Sequence, residues 1–326
     1  MGEGPLLDIS RVGFGAWSVG GTGWSYTGTA ARDEQSVAAM LHAFDLGVTW
    51  VDTAPVYGQG HSEELVGRAL KKVRGRKPQV FTKCGRRWEA PNLPSRSDHR
   101  PESIREDVEA SLRRLDVEAV DLIQFHWPDN ETGTPVEDAW GTLLGLVAEG
   151  KSRAAGVSNF DLELLQRCEE VGHVVSLQTP FSLIARDSAA GLLQWCAEHG
   201  TAVIVYSPMQ IGLLTDSFTA DRVQLLDPED WRRGHPEFRP PRLERNLALR
   251  DALRPIADAH STTVSSVAVA WTLSWPQVTG AIVGASTTDQ VDGWIEGGSL
   301  RLSDGDLDAI AEAIETTGAG SGPRRP

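Results

Sequence analysis

Eight short runs rich in β-branched and aromatic residues recur along the chain, and longer stretches with helical spacing separate most of them. The runs centre on Val12 to Phe14, Val48 to Asp52, Val80 to Lys83, Leu122 to His126, Ala154 to Val157, Val174 to Gln178, Ala202 to Tyr206 and Thr279 to Val283. Repeated strand and helix units of this kind predict a parallel sheet, and eight is the number that closes a (β/α)8 TIM barrel. Between the first two runs, Val37, Met40, Leu41 and Phe44 form one apolar stripe, with Asp33 placed as the cap and Gly47 as the stop. Ile104, Val108, Leu112 and Leu115 repeat that stripe after Pro101. Such stripes are barrel-facing core and need no functional explanation.

Two segments break the rhythm. Residues 215–243 carry Pro228, Pro236, Pro240, Pro241 and several arginines after the seventh run, a length that suits a lid over the barrel mouth. The last stretch, "TTGAGSGPRRP", has no core-forming side chain. The expected organisation is therefore one α/β barrel domain over residues 1–316, with 317–326 as a disordered tail.

Composition narrows the partners. With 31 Lys+Arg against 45 Asp+Glu, the 326-residue chain carries a formal charge of −14, which argues against nucleic acid or an anionic membrane surface as partner. Cys84, Cys168 and Cys196 are odd in number and lack metal-ligand spacing, so neither a disulfide framework nor a metal site is expected. A reducing, cytoplasmic setting fits, and "MGEGPLLDIS" has no signal-peptide pattern. The charge-free stretch 261–288 is interrupted at Trp275-Pro276-Gln277, so it reads as a buried helix, a turn and a buried strand rather than a membrane span.

In a closed parallel barrel, side chains at the C-terminal ends of strands converge on one mouth. Asp52 ends the second run, Tyr57 follows in its loop, Lys83 ends "QVFTK" and His126 ends "VDLIQFH". Singly, each has an ordinary structural explanation. Together they can move a proton to a carbonyl oxygen. Asp52 can pair with Lys83 and keep it charged, the ammonium can lower the pKa of Tyr57, and His126 can orient the same oxygen.

At this point a resemblance is plain. "DTAPVYGQGHSEELVG", "FTKCG", "DLIQFHWP", "GKSRAAGVSNF", "LQTPFSLI", "VYSPMQIGLL" and "IVGASTTDQV" resemble, in order, the motifs of the aldo-keto reductase family. "GFGAWSVGG", "HWP" and "YSP" are most similar to bacterial NADPH-dependent reductases of the subgroup that includes potassium-channel β subunits. The resemblance implies hydride transfer from a nicotinamide cofactor, NADP(H) with NAD(H) open, to an aldehyde or ketone, with Tyr57 as general acid. The alternatives it leaves are an NAD-preferring or keto-sugar biosynthetic reductase, and a cofactor-binding regulatory subunit.

By the same resemblance Ser158, Asn159 and Gln178 hold the carboxamide, Tyr206 stacks on the ring, and Trp17 lies on the cofactor side of the mouth. Ser207, Pro208, Met209 and Gly212 form the pyrophosphate cradle, and Gly284, Ser286 and Gln290 the adenosine-phosphate site. Trp24, Trp88 and Trp127, in loops at the mouth, are expected to wall a pocket for a ring-containing or apolar carbonyl compound. "GQGHSE" is a poor dinucleotide fingerprint because Glu63 stands where a third glycine is needed, so Gly58 and Gly60 read as turn glycines and Ser62 as a helix cap. The pattern departs at the adenosine end, where Gly293 and Trp294 replace the usual Glu and Asn. No Lys or Arg lies between Ile282 and Gln290, and Asp289 and Asp292 are close. Arg239, Arg242 or Arg245 from the lid is the expected source of the missing charge.

Overall fold

The computed structural model describes residues 7–20, 29–88, 90, 93–228 and 230–326. Eight parallel strands close into a barrel in sequence order, the eighth pairing with the first. They are β1 (Val12–Gly15), β2 (Trp50–Asp52), β3 (Gln79–Cys84), β4 (Leu122–Phe125), β5 (Ala155–Ser158), β6 (Ser176–Pro180), β7 (Ala202–Tyr206) and β8 (Val278–Gly284). Each lies within two residues of its sequence expectation. Helices α1 (Ala30–Asp45), α2 (His61–Lys72), α3 (Pro101–Leu115), α4 (Val136–Ala148), α5 (Leu162–Val171) and α6 (Leu192–His199) alternate with the first seven strands. Short α7 (Ala220–Gln224), then α8 (Arg242–Ala252), α9 (Arg254–Ala259) and α10 (Val264–Leu273) precede β8, and α11 (Thr288–Asp292) and α12 (Asp304–Thr317) follow it.

The alternation of strand side chains explains the layout of the interior. Trp50, Phe81, Leu122, Ala154, Ile204 and Ile282 form one apolar layer inside the barrel. Trp50 fills the space left by Gly13, where an added Cβ would lie 2.1 Å from the indole, and its Nε1 donates to the Ser10 carbonyl at 2.8 Å. Two residues further along a strand the side chain points to the same side. The layer above therefore holds Asp52, Lys83, Gln124, Gly156 and Tyr206, the polar floor of the mouth. Cys84, one residue out of phase with Lys83, packs in the outer core between strands and helices, as expected. All three cysteines are buried thiols, and no described helix is long and apolar enough to cross a membrane.

Three local expectations are corrected. Helix α1 is capped by Thr29, whose side chain accepts from the Arg32 amide; Asp33 sits inside the first turn, 3.0 Å from His61. Ala30 and Ala31 are strong helix formers and extend the helix backwards. Ser62 is not the cap of α2, which starts at His61. Its hydroxyl turns inward, donating to the Ala16 carbonyl at 2.8 Å and lying 2.9 Å from Thr53 Oγ1. The stretch expected as a disordered tail, 317–326, is placed against the fold. Residues 319–322 lie along the loop after β6, held by backbone pairing at Ala185 and Ser321 and by the buried Ala319, and Arg324 and Arg325 pair with Glu315 and Asp304 of α12; with so little side-chain burial, composition gave no sign of it.

Candidate active site

Tyr57 is placed by a turn that needs glycine at Gly58 and Gly60. The segment Tyr57–Gly60 bends through left-handed backbone at Gly58, Gln59 and Gly60. Its backbone presses against that of Gly20: a Cβ on Gly58 would stand 2.2 Å from the Gly20 carbonyl oxygen. Glu63, in the first turn of α2, is fully buried. It accepts from Thr82 Oγ1 at 2.6 Å and from Arg114 Nε at 2.7 Å, and so ties α2 to β3 and α3. The residue that spoils a dinucleotide fingerprint thus has a structural task.

The four expected catalytic side chains meet. Lys83 Nζ donates to Asp52 Oδ1 at 2.6 Å and to the Thr53 carbonyl at 3.0 Å, and lies 3.4 Å from the Tyr57 hydroxyl. The His126 ring stands edge-on to Tyr57, with centroids 5.6 Å apart. Gln178 Nε2 occupies the other carboxylate oxygen of Asp52 at 2.8 Å, a contact sequence reasoning did not anticipate. Asn159, at a left-handed φ of 63°, donates from Nδ2 to the His126 carbonyl at 2.9 Å and to Ser158 Oγ at 3.0 Å. Its Oδ1 accepts from the Tyr206 hydroxyl at 2.8 Å. Asp52, Lys83, His126, Ser158 and Gln178 are all buried.

The electrostatics correct one expectation. Lys83 does not lower the pKa of Tyr57 on balance: burial, and then the charge of Asp52, push the phenol well above its usual value. Asp52 lies within 2.6 Å of the ammonium and offsets its field. Burial also pulls Lys83 down, against the opposing pull of Asp52. Burial first, then the charges of Lys83 and Arg86, hold His126 well below the ordinary imidazole value, so it is neutral at pH 7.

The remaining candidates fall into two groups. Trp17 and Trp88 are half-buried against Tyr57, Ala54 and Val56, whereas Trp127 is 43% exposed at the rim. Trp24 lies outside the described residues. Trp231, from the long segment after β7, is 43% exposed, meets Trp17 edge-on at 6.3 Å and is a mouth residue that sequence reasoning missed; its signal was an indole within the segment expected to form the lid. That segment is anchored by Phe218 and Phe238, both buried, with ring centroids 5.7 Å apart.

Beyond β7, Ser207, Gln210 and Ile211 have φ of 58°, 46° and 58°. This backbone curls around Pro208 and Met209, and Gly212, at φ +100°, has open space where a side chain would stand. Such a backbone, strained at three non-glycine residues and open at Gly212, fits a polar ligand crossing the strand ends. Gly284 is exposed, and the Ser286 amide donates to Gln290 Oε1 at 2.7 Å. Trp294 is buried, with no hydrogen-bond partner for Nε1 among the described residues. Asp292 pairs with His42 at 2.6 Å. Among the lid arginines, Arg242 pairs with Glu237 at 2.7 Å and Arg239 donates to the Arg233 carbonyl at 2.9 Å.

A (β/α)8 barrel with a buried Asp-Lys pair against a tyrosine and a neutral histidine at its C-terminal mouth defines a class of oxidoreductase. The model of the Aldo/keto reductase family matches residues 11–315, and the chain belongs to that family as an NAD(P)H-dependent oxidoreductase. It is 32% identical over 321 residues to the NADH-specific methylglyoxal reductase of Escherichia coli, covering 95% of this chain and 97% of that one. It is also 32% identical over 314 residues to the aldo-keto reductase YhdN of Bacillus subtilis, covering 95% and 92%. The solved glycerol dehydrogenase AKR11B4 of Gluconobacter oxydans superposes with a TM-score of 0.88 at 35% identity, covering 98% of this chain and 96% of that one.

Proposed function

We propose that the protein reduces an aldehyde or ketone with Tyr57 as the proton donor. The observation that carries this reading is Lys83 Nζ, buried between Asp52 at 2.6 Å and the Tyr57 hydroxyl at 3.4 Å. When bound, the nicotinamide supplies a hydride to the carbonyl carbon. The chain's own task is the oxygen. As negative charge develops there, Tyr57 delivers its proton and the Lys83 ammonium stabilises the phenolate left behind. The raised pKa of the resting phenol keeps the proton in place until the oxygen needs it. His126, a neutral imidazole whose Nδ1 has no hydrogen-bond partner among the described residues, is a donor for the same oxygen when its proton is on Nε2.

Asn159 and Gln178 are suited to orient the carboxamide, Tyr206 to stack on the ring, and residues 207–212 to follow the pyrophosphate. Trp17, Trp88 and Trp231 make an aromatic wall suited to an apolar or ring-containing substrate. For the cofactor, the adenosine end favours NADH at least as much as the NADPH expected by resemblance. Arg242 and Arg239 are committed within their own segment, Asp289 and Asp292 are exposed beside the site, and one relative is named as NADH-specific. A screen of aldehydes and ketones that follows loss of reduced-cofactor absorbance tests the reading. Binding of cofactor without turnover on any carbonyl compound would favour the regulatory alternative.

A further inference from the structure

The segment "GAGSG", Gly318 to Gly322, is the part of the chain whose order the activity does not explain. It lies across the loop that follows β6. The Ser321 amide donates to the Ile184 carbonyl at 3.1 Å, and the Ser321 carbonyl accepts from the Arg186 amide at 3.0 Å. Arg186 is 2% exposed, and no carboxylate pairs with its guanidinium among the described residues. Its Nη atoms donate to the carbonyls of Leu183 and Ala319, so one of the two carbonyls that hold this buried guanidinium comes from the segment, while the charge of the adjacent Asp187 acts in its favour. The glycines are needed for contact. A Cβ on Gly320, at φ +63°, would lie 1.9 Å from the Ile184 carbonyl oxygen, and one on Gly322 would lie 2.5 Å from the Arg186 carbonyl carbon.

What the segment holds is a turn that reaches the opposite loop. Ser182 Oγ accepts from the amides of Ile184 and Ala185 at 3.1 and 3.0 Å. With its lone pairs so engaged, its proton is directed to Gln210 Oε1 at 2.8 Å. Gln210 is buried and sits at φ 46°, next to Ile211 at 58°, within the concave backbone after β7. Non-glycine residues hold such backbone only where surrounding contacts impose it. A continuous path of hydrogen bonds thus joins Ser321 to the cradle loop through Ile184, Ser182 and Gln210.

We propose that residues 318–322 are a strap that positions the cofactor cradle, with Arg186 as its anchor and the Ser182–Gln210 bond as its link. This rests on the reading of residues 206–212 as part of the nicotinamide-cofactor site. The strap touches none of Asp52, Tyr57, Lys83 or His126, so its effect is on cofactor affinity and not on proton delivery. The arrangement also tolerates opening, because a released strap lets water reach the Arg186 guanidinium and replace the Ala319 carbonyl.

Titration of intrinsic tryptophan fluorescence with NADH and with NADPH tests this on the full chain. Gly320→Ala is expected to raise both dissociation constants by about fivefold to tenfold, the loss of one or two hydrogen bonds, with kcat at saturating cofactor retained. Ser182→Ala is expected to weaken binding similarly, and the double variant no further, because both act through one path. A lowered melting temperature in Gly320→Ala with unchanged dissociation constants, or additive losses in the double variant, would overturn the strap. Arg186→Lys supplies a second route should Gly320→Ala not fold: a retained charge with lost fork geometry is expected to raise the same constants, and unchanged constants would count against the proposal. Tyr206→Ala separates the two readings. If it leaves cofactor affinity intact, the assignment of the cradle itself fails; if it weakens affinity while the strap variants do not, the cradle stands and the strap falls.

Discussion

The two ends of the barrel mouth are built by different means. At the catalytic end, five side chains from five different segments interlock. Lys83, Asp52 and Gln178 are joined at 2.6 and 2.8 Å, Tyr57 lies within 3.4 Å, and His126 is edge-on to the phenol. Asp52, Lys83 and Gln178 are buried and hydrogen-bonded to one another, so substitution of one leaves another orphaned. At the adenosine end, Gly284, Asp289, Gln290 and Asp292 are exposed, and Gln290 contacts a backbone amide of its own loop. The ties of this end to distant parts of the chain are few and lie at the surface or on the backbone: Gly284 pairs with Gly15 of β1, Ser18 donates to the Ala285 carbonyl, and Asp292 meets His42 of α1. A buried network holds its residue types in place, whereas an exposed loop can change them without unfolding the barrel. Trp294, two residues beyond Asp292, is already part of the core and belongs with the fixed residues rather than with the loop.

The comparison breaks first at Tyr57. Tyr57→Phe is expected to lower kcat by roughly 10² to 10⁴, the usual worth of a general acid, while cofactor dissociation constants stay within about twofold. Lys83→Met should match it, and excess cofactor should not rescue either. A Phe variant that keeps more than about a tenth of the turnover would remove Tyr57 from its role.

Asp52→Asn probes the same network through stability. It leaves the Lys83 ammonium buried without a carboxylate, which costs about 3 to 5 kcal/mol. Denaturant unfolding should show that loss, whereas Asp289→Asn at the other end should fall within about 0.5 kcal/mol of the parent. Equal effects at both ends would erase the distinction between interlocked and independent residues.

How much of this was legible beforehand follows the same division. The eight strands could be read because a barrel strand buried on both faces must be an apolar run, and Asp52, Lys83 and His126 because a polar residue ending such a run is conspicuous. Neither Gln178 to Asp52 nor Ser182 to Gln210 was readable, since the paired residues lie far apart in sequence and only the closed barrel joins them. Thr29 displaced Asp33 as the cap because two alanines favoured earlier helix nucleation. The strap was misread for a different reason. Composition detects segments that bury large side chains, and residues 318–322 bury only Ala319, being held otherwise by backbone hydrogen bonds, by the Ser321 hydroxyl on Asp187 and by close contacts that glycine allows.

A third test lies behind the catalytic end. His99 is buried and stacks on Phe125 at 4.2 Å, and burial lowers its pKa to about 4, against the opposing pull of Asp129 and Asp98 and with help from Arg86. The unfolded chain binds the proton near pH 6.5 and the folded chain only near 4, so this site favours folding fully above about pH 6.5 and loses that contribution as pH falls towards 4. The contribution lost is on the order of 3 kcal/mol. Asp107, raised to about 7 chiefly by burial, acts in the opposite sense: the folded chain binds its proton more tightly, so acidification over the same range stabilises the fold. The two partly cancel in the parent protein. His99→Gln should therefore gain melting temperature relative to the parent as pH falls from 6.5 to 4. A difference that does not change with pH would mean that the imidazole is not held neutral.

The smallest expected effect is the cofactor preference, and it sharpens the comparison most because the end that sets it is the end free to vary. NADPH carries a 2′-phosphate that NADH lacks, and around Ser286 and Gln290 the nearest charges along the chain are Asp289 and Asp292. Asp292 is oriented towards His42 at 2.6 Å, and Asp289 lies nearer to Ser286 along the chain, so Asp289 is expected to be the main source of repulsion. Two exposed charges about 4 Å apart in water interact by about 1 kcal/mol, which corresponds to roughly fivefold in binding. NADH should therefore bind more tightly than NADPH by no more than about tenfold at low salt, and the gap should close at high salt, where the Debye length falls to about 3 Å at 1 M. Asp289→Asn should close it at low salt as well. Fluorescence titrations with each cofactor measure both effects directly. Tighter NADPH binding at low salt, lost in Arg245→Ala, would show instead that the lid supplies a cation to the phosphate, and that the adenosine end is completed from across the mouth rather than by its own loop.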